Sequence, residues 1–204
     1  MKQLTVEFSS RLPRYSSVAV ANTLLEVNAS QGARAPTADQ LQDWVYLAHG
    51  WHLGVTGRPL LQDQLQACSD GVLAVDLRES GCRGSHRIEE PISLIATDES
   101  RGMMVEQTPS TPEQAPIRAV LKRVHKLWGQ QSAYELRQLV REVGGPWDLI
   151  WNDEERPSDE PQLLPTGTIQ LWFADYAEAE QRRAALQATQ RLLARPDPQR
   201  LRVV

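Results

Sequence analysis

The sequence predicts a mainly α-helical protein of the α+β class, folded as a single compact domain with one small β element. Three observations carry this. Apolar residues recur at spacings of three and four in several separate stretches. Two Ser/Thr-x-x-Glu/Gln patterns, Thr37 with Gln40 and Ser132 with Glu135, stand where helices would open. And 204 residues with 41% apolar content suffice for one sizeable core but hardly for two domains.

In chain order, Leu4, Val6 and Phe8 alternate with polar residues, which predicts a short strand before Pro13. Ser17 is a natural N-cap for a first helix through Val18, Ala21, Leu24 and Leu25, ending near Gly32. From Thr37 a stronger helix carries Leu41, Trp44, Val45, Ala48, Trp51, His52 and Val55 on one stripe, and Gly57 and Pro59 stop it. Leu61, Leu65 and Ala67 then read as a strand, Val72 to Leu77 as a short helix and Ile88 to Ile95 as another strand. Residues 96–116, with Pro109, Pro112 and Pro116 among polar neighbours, read as a mobile connector. Ile117, Val120, Leu121, Val124 and Leu127 form the next helix, closed by Gly129. Ser132 opens one through Leu136, Leu139 and Val143, and Pro146-Trp147 starts a further turn. Residues 152–166 hold five acidic side chains and three prolines, an exposed acidic loop. The last helix begins near Thr168 with Ile169, Trp172, Phe173 and Tyr176 on one face. The layout expected is thus an N-terminal extension (1–15), a helical domain (16–175) and an Arg-rich C-terminal helix and tail (176–204).

The formal charge of −4 gives no global electrostatic reason to expect nucleic acid or an anionic membrane as partner. No basic segment followed by an apolar run opens the sequence, and no apolar run approaches a bilayer span, so the expected location is the cytoplasm. Two cysteines, Cys68 and Cys82, make no disulfide framework.

Candidate chemistry is sparse. His49 and His52, three apart on a helix, with Cys82 and His86, four apart, are the residues from which a zinc site would be built; but His52 falls on the apolar stripe and His49 toward the polar side beside Tyr46, so the pair diverges. No CxxC or HExxH supports it. No histidine is brought to either cysteine by a local signature, and Glu89-Glu90 and Glu154-Glu155 lie in polar surroundings that read as solvated charge. No phosphate loop or nucleophile elbow is present, so no catalytic residue, metal ligand or cofactor site is assigned. What remains is contact chemistry. Six arginines against one acidic residue between Arg182 and Arg202 offer a cationic surface. Trp128, Trp147 and Trp151 cluster near helix ends, where a large amphipathic ring can anchor an interface. Tyr46, His49, Trp128, Trp147, Trp151, Arg182 and Arg183 are therefore the candidate partner-binding residues.

Together these blocks resemble the Panacea domain family, which includes SocA-like antitoxins and phage-associated GepA-like proteins. The resemblance is carried by Val20-Ala21-Asn22-Thr23-Leu24-Leu25; by Tyr46, Ala48, Gly50, Trp51, Leu53, Thr56, Gly57, Pro59 and Leu60; by Ser132-Ala133 with Leu136, Leu139 and Pro146-Trp147; and by Ile169 and Phe173. It covers about residues 16 to 175. The sequence departs from the family pattern at three places: a lysine of the second helix is Asp43, a tryptophan and Tyr-Gly-Pro turn appear as Cys68, Asp70, Gly71 and Val72, and a Thr-His pair is Val140-Arg141. The resemblance implies a cofactor-free, non-enzymatic antitoxin that binds and neutralises a toxin protein encoded nearby, in some members coupled to disposal of the toxin by a protease. Two alternatives stand beside it: an immunity protein, chaperone or adaptor for a secreted effector, and a metal-dependent enzyme using the His/Cys set. The arginine tail motivates a third, a DNA-binding autorepressor, though nucleic acid is the less expected partner.

Overall fold

The computed structural model describes residues 14–98, 103–109, 111, 115–154 and 159–193. The strand expected around Leu4 to Phe8 and the tail from residue 194 lie outside them. Seven helices and two small sheets are formed among the described residues, in agreement with the mainly α, α+β class.

The first helix, α1 (Ser17–Ser30), is capped one residue earlier than the sequence predicts, by Ser16, whose Oγ accepts the Ala19 amide at 3.2 Å. The second, α2 (Ala38–Thr56), has its capping box complete. Gln40 donates its amide to Thr37 Oγ1 at 3.2 Å, and Thr37 donates its own to Gln40 Oε1 at 2.9 Å. Gly57, at φ +67°, ends the helix in the left-handed conformation that glycine adopts without a Cβ penalty. Because the box satisfies two otherwise orphaned amides, Thr37→Ala should cost about 1 kcal/mol, read as a fall in Tm of about 2–4 °C. An unchanged melting curve would show that Gln40 alone holds the helix start.

Every residue from Leu41 to Trp51 on α2 is buried, so this helix has no polar side over most of its length; that marks a central element enclosed by others rather than a surface helix. It packs against α1, α4 (Ala115–Trp128), α5 (Ala133–Val140) and, most extensively, α7 (Thr166–Leu193). Ile169, Phe173 and Ala177 supply the buried face of α7, as the sequence predicts for the first two. The stripe assignment on α2 is corrected at its end. Val55 is 50% exposed, and His52 is only partly buried.

The β content is larger than expected. Strands β1 (Leu65–Cys68) and β2 (Gly71–Ala74) form a hairpin, with Leu65 opposite Ala74 and Cys68 opposite Gly71. The short helix expected from Val72 therefore starts later, as α3 (Val75–Glu79). Strand β3 (Leu94–Asp98) pairs with β4 (Met103–Gln107), so the 96–116 connector carries a second hairpin and the start of α4, and the strand expected from Ile88 begins only at Leu94. Helix α6 (Pro146–Trp151) follows α5, which ends at Val140; Val143 is 86% exposed and belongs to no core face. Within the acidic loop, β5 (Gln162–Leu163) adds a third strand beside β1, and Leu164 is buried.

Candidate functional site

The three places where the sequence departs from the pattern it resembles, scattered along the chain, meet at one point: the turn between β1 and β2, backed by α2 on one side and by α5 and α6 on the other. Asp43 projects from α2 into the interior, 3% exposed, with its Oδ2 buried and unpartnered. Burial raises its carboxyl to about 7, Arg137 and Arg141 pulling down and Asp39 pushing up by smaller amounts.

Arg137, in the last turn of α5, and Arg141, the residue that caps its C-terminus, lie about one turn apart, as the helix period places residues four apart. Arg137 bridges two acids, Asp39 at 3.3 Å and Asp70 in the turn at 3.8 Å. Arg141 donates from Nη2 to the Ser69 carbonyl and lies over the Trp147 ring, its guanidinium 4.8 Å from the ring centroid. Trp147 in turn donates its indole N–H to the Cys68 carbonyl at 2.8 Å and stacks on Trp151 at 6.2 Å. A turn of four residues is thus held by three side chains from two helices. Gly71, at φ +126°, has Val140 immediately above it, 3.7 Å from where a Cβ would stand. Asp70 faces solvent, with a side chain 77% accessible, and Tyr134, three residues before Arg137 on α5, is 74% exposed.

This arrangement can bind but offers no catalytic constellation among the described residues. The buried carboxyl of Asp43 has no nucleophile or histidine as partner here. Cys68 is buried beside the turn, and burial pushes its thiol above the ordinary value; Cys82 is raised to about 12, opposite to an activated thiolate. The four residues of the metal alternative do not assemble either. His49 Nδ1 accepts the Leu61 amide, His52 Nδ1 meets the Arg58 carbonyl, Cys82 is buried against Ala38, and His86 is exposed. Among the described residues no group of three or more His, Cys, Asp or Glu side chains is placed to hold a metal ion.

The candidate contact residues are distributed differently from the expectation. Tyr46 is 2% exposed, sealed by the edge of the Phe173 ring at 5.6 Å. Trp128 is 3% exposed, packed edge-on against Trp51 at 6.0 Å, and Trp147 is 6% exposed; both are core residues. His49 is also interior. Periodicity leaves Tyr46 and His49 on a polar side because their cover, Phe173 of α7 and the chain folding back at Leu61, is not part of the helix pattern, and it leaves Trp128 and Trp147 at helix ends because Trp51 and the Cys68 carbonyl, which they pack against, lie elsewhere in sequence. Trp151 is partly exposed, while Arg182 and Arg183 are exposed and paired with Glu178 and Glu180 of their own helix. Arg137 and Asp39 were missed as site residues. Their signal was present in part, since Arg137 stands four residues before the variant Arg141 on the same helical face.

No helix among the described residues is long and apolar enough to cross a membrane. No protein-family model matches the chain, and no solved structure matches it. The chain is similar to Antitoxin SocA of Caulobacter vibrioides (strain NA1000 / CB15N), with 33% identity over 135 residues that span 66% of this chain and 69% of that protein.

Proposed function

Since this chain belongs to the SocA-like antitoxin family, we propose that it is a non-enzymatic antitoxin of the Panacea type, which binds a toxin protein encoded beside it and neutralises it by occlusion. The observation that carries the reading is the identity of 33% sustained over two thirds of both chains. The absence of a reactive constellation from the turn site is compatible with it, since occlusion needs only a stable complementary surface.

The surface we assign to the toxin is the β1–β2 turn with its rim of Asp70, Arg137, Tyr134 and Trp151. Two features support the choice. The buried Trp147 of α6 and the partly buried Arg137 and Arg141 at the end of α5 fix the turn, which lowers the ordering cost of binding. And the rim combines an exposed acid, a guanidinium and aromatic rings, the residue types in which binding energy concentrates. This is also where the sequence departs from the Panacea pattern it resembles, as a surface tuned to a different toxin would.

Co-expression with the neighbouring gene product should relieve a growth arrest caused by that product alone, and the two should co-purify. Asp70→Lys, which reverses an exposed charge and removes only the exposed 3.8 Å ion pair with Arg137, should weaken the complex at least about tenfold while lowering Tm by no more than about 2–4 °C. Arg182→Ala with Arg183→Ala, whose charges are engaged by Glu178 and Glu180, should have little effect. A neighbour that is harmless and does not bind sinks the antitoxin reading. Full affinity in Asp70→Lys moves the toxin surface elsewhere.

A further inference from the structure

Outside the turn site, a cleft of about 420 Å³ opens between the segment 59–65, β5 and the first turn of α7. It lies where two neighbouring strands stop pairing. Leu164 gives its amide to the Leu65 carbonyl at 2.9 Å, holding β5 to β1, whereas residues 61–64 and 165–166 line the cleft instead of bonding to one another. The wall is apolar at Leu65, Leu164 and Ile169, each buried, and at Leu163, which is left 55% exposed. Gln62, Gln64 and Thr166 also line it. These uncharged groups can meet the N–H and C=O groups of a peptide main chain.

Arg14 stands exposed at the rim, and the described chain begins there. One residue on, the backbone is already extended and paired. Tyr15 donates its amide to the Leu60 carbonyl and accepts the Gln62 amide, both at 2.9 Å, in a parallel bridge to Leu61. The thirteen residues before Arg14 therefore join the fold at the mouth of this cleft. Among them Leu4, Val6 and Phe8 alternate with Thr5 and Glu7, the pattern of an extended segment with one apolar face.

We propose that residues 4–8 dock in this cleft as an extended segment, with Leu4, Val6 and Phe8 against its apolar wall, Thr5 and Glu7 outward, and Gln62, Gln64 and Thr166 bonded to the main chain. Reach permits it: the five residues 9–13 span up to about 17 Å, more than the breadth of a cleft of this volume. Attachment favours this occupant over any free peptide, because a short tether holds the segment at a millimolar effective concentration. Docking also covers Leu163 and the end of β5, an edge strand beyond which no further strand pairs among the described residues. The inference stands apart from the toxin surface and does not depend on it.

Paramagnetic relaxation in the full chain tests it. A nitroxide on Thr5→Cys, an outward position, should broaden the amide resonances of residues 62–65 and 163–169; Cys68 and Cys82 are buried and stay unlabelled. Val6 lies outside the described residues, so Val6→Asp should leave the body folded while abolishing that broadening and lowering Tm by about 2–4 °C. Leu163→Asp should do the same from the cleft side, and the two losses should not add in the double variant, as for groups in contact. Thr5→Asp should leave Tm unchanged. No broadening at these residues, broadening that Val6→Asp leaves in place, or additive losses in the double variant overturns the proposal. Broadening in a mixture of spin-labelled, unenriched protein with isotope-enriched, unlabelled protein would seat a second copy's segment in the cleft, which also overturns it.

Discussion

Gly54→Ala should strip much of the stability from this fold by forcing α7 off α2. A Cβ at Gly54 would stand 2.5 Å from the Phe173 carbonyl carbon, 2.6 Å from its oxygen and 2.8 Å from the Ala174 nitrogen. All three are backbone atoms in mid-helix, so no rotamer change relieves the overlap, and α7 has to move as a body. One turn earlier, a Cβ at Gly50 would overlap the Phe173 ring, 2.2 Å from Cε2, so the two glycines together form the groove in which that residue sits. Alanine would favour α2 itself by about 1 kcal/mol through helix propensity. Against that stand the cost of overpacking and the loosening of Ile169, Phe173 and Ala177 from the core. The net loss should be about 2–3 kcal/mol, a fall in Tm of about 4–12 °C at this chain length. Urea unfolding followed by circular dichroism reads it. A variant as stable as the parent would mean that the two helices do not approach this closely in solution.

That groove also shows why part of the fold is legible in sequence and part is not. Local chemistry was readable. Both capping boxes form with both of their bonds, Gly57 ends α2, and the helix expected through Ile117 and Leu127 is there as α4. What failed needed knowledge of distant partners. The periodicity of α2 puts His52 and Val55 on its apolar stripe and leaves Tyr46 and His49 for solvent, but a helix covered on all sides has no stripe, and Phe173, which covers Tyr46, lies 127 residues away in sequence. Trp128 and Trp147 read as interface anchors because they lie near helix ends; both are internal packing residues. The hairpin 65–74 had a signal, Asp70-Gly71 between two apolar runs, that was outweighed by the apolar run from Val72 to Leu77. The β3–β4 hairpin had less. Its strands are short and lack a clean alternation, in a Pro-rich neighbourhood that composition alone assigns to disorder.

The candidate turn site was legible only as a set of unexplained departures. Asp43, Asp70 and Arg141 were each visible as unusual, yet nothing in the spacing of 43, 70 and 141 says that they meet. That information resides in strand register and in the packing of α5 against α2 and β2. Arg137 was not singled out at all, because an arginine on an amphipathic helix ordinarily reads as solvated charge. Only its two acidic partners give it a role.

Two buried groups on α2 should make stability depend on pH in opposite senses, so that removing either one exposes the other. Asp43 titrates near 3.9 when unfolded and at about 7 when folded, chiefly because burial disfavours its charge. Between those values the folded protein holds one more proton than the unfolded chain, so this contribution to stability is lost as pH rises from about 4 to 7. His49 titrates near 6.5 when unfolded and at about 4 when folded, because of burial first and of His52 and Arg14 after it. There the unfolded chain holds the extra proton, and stability is lost as pH falls from about 6.5 to 4. The magnitudes are similar, about 4 kcal/mol for Asp43 and about 3 kcal/mol for His49, so the two slopes nearly cancel over the shared window.

Asp43→Asn, which holds the group permanently neutral, should therefore be more stable than the parent at pH 8 by up to about 4 kcal/mol and should lose stability steeply between pH 6.5 and 4. The lowered His52 and His125 act in the same direction and deepen that loss. His49→Gln should show the reverse, a protein that weakens as pH rises from about 4 to 7, with the raised Asp63 adding to the slope. Urea midpoints measured from pH 4 to 8 for the parent and both variants decide the matter. Profiles that stay parallel would mean that the Asp43 carboxyl is hydrated or fully paired, and the cluster behind the turn would then be a surface ion pair rather than a buried charge.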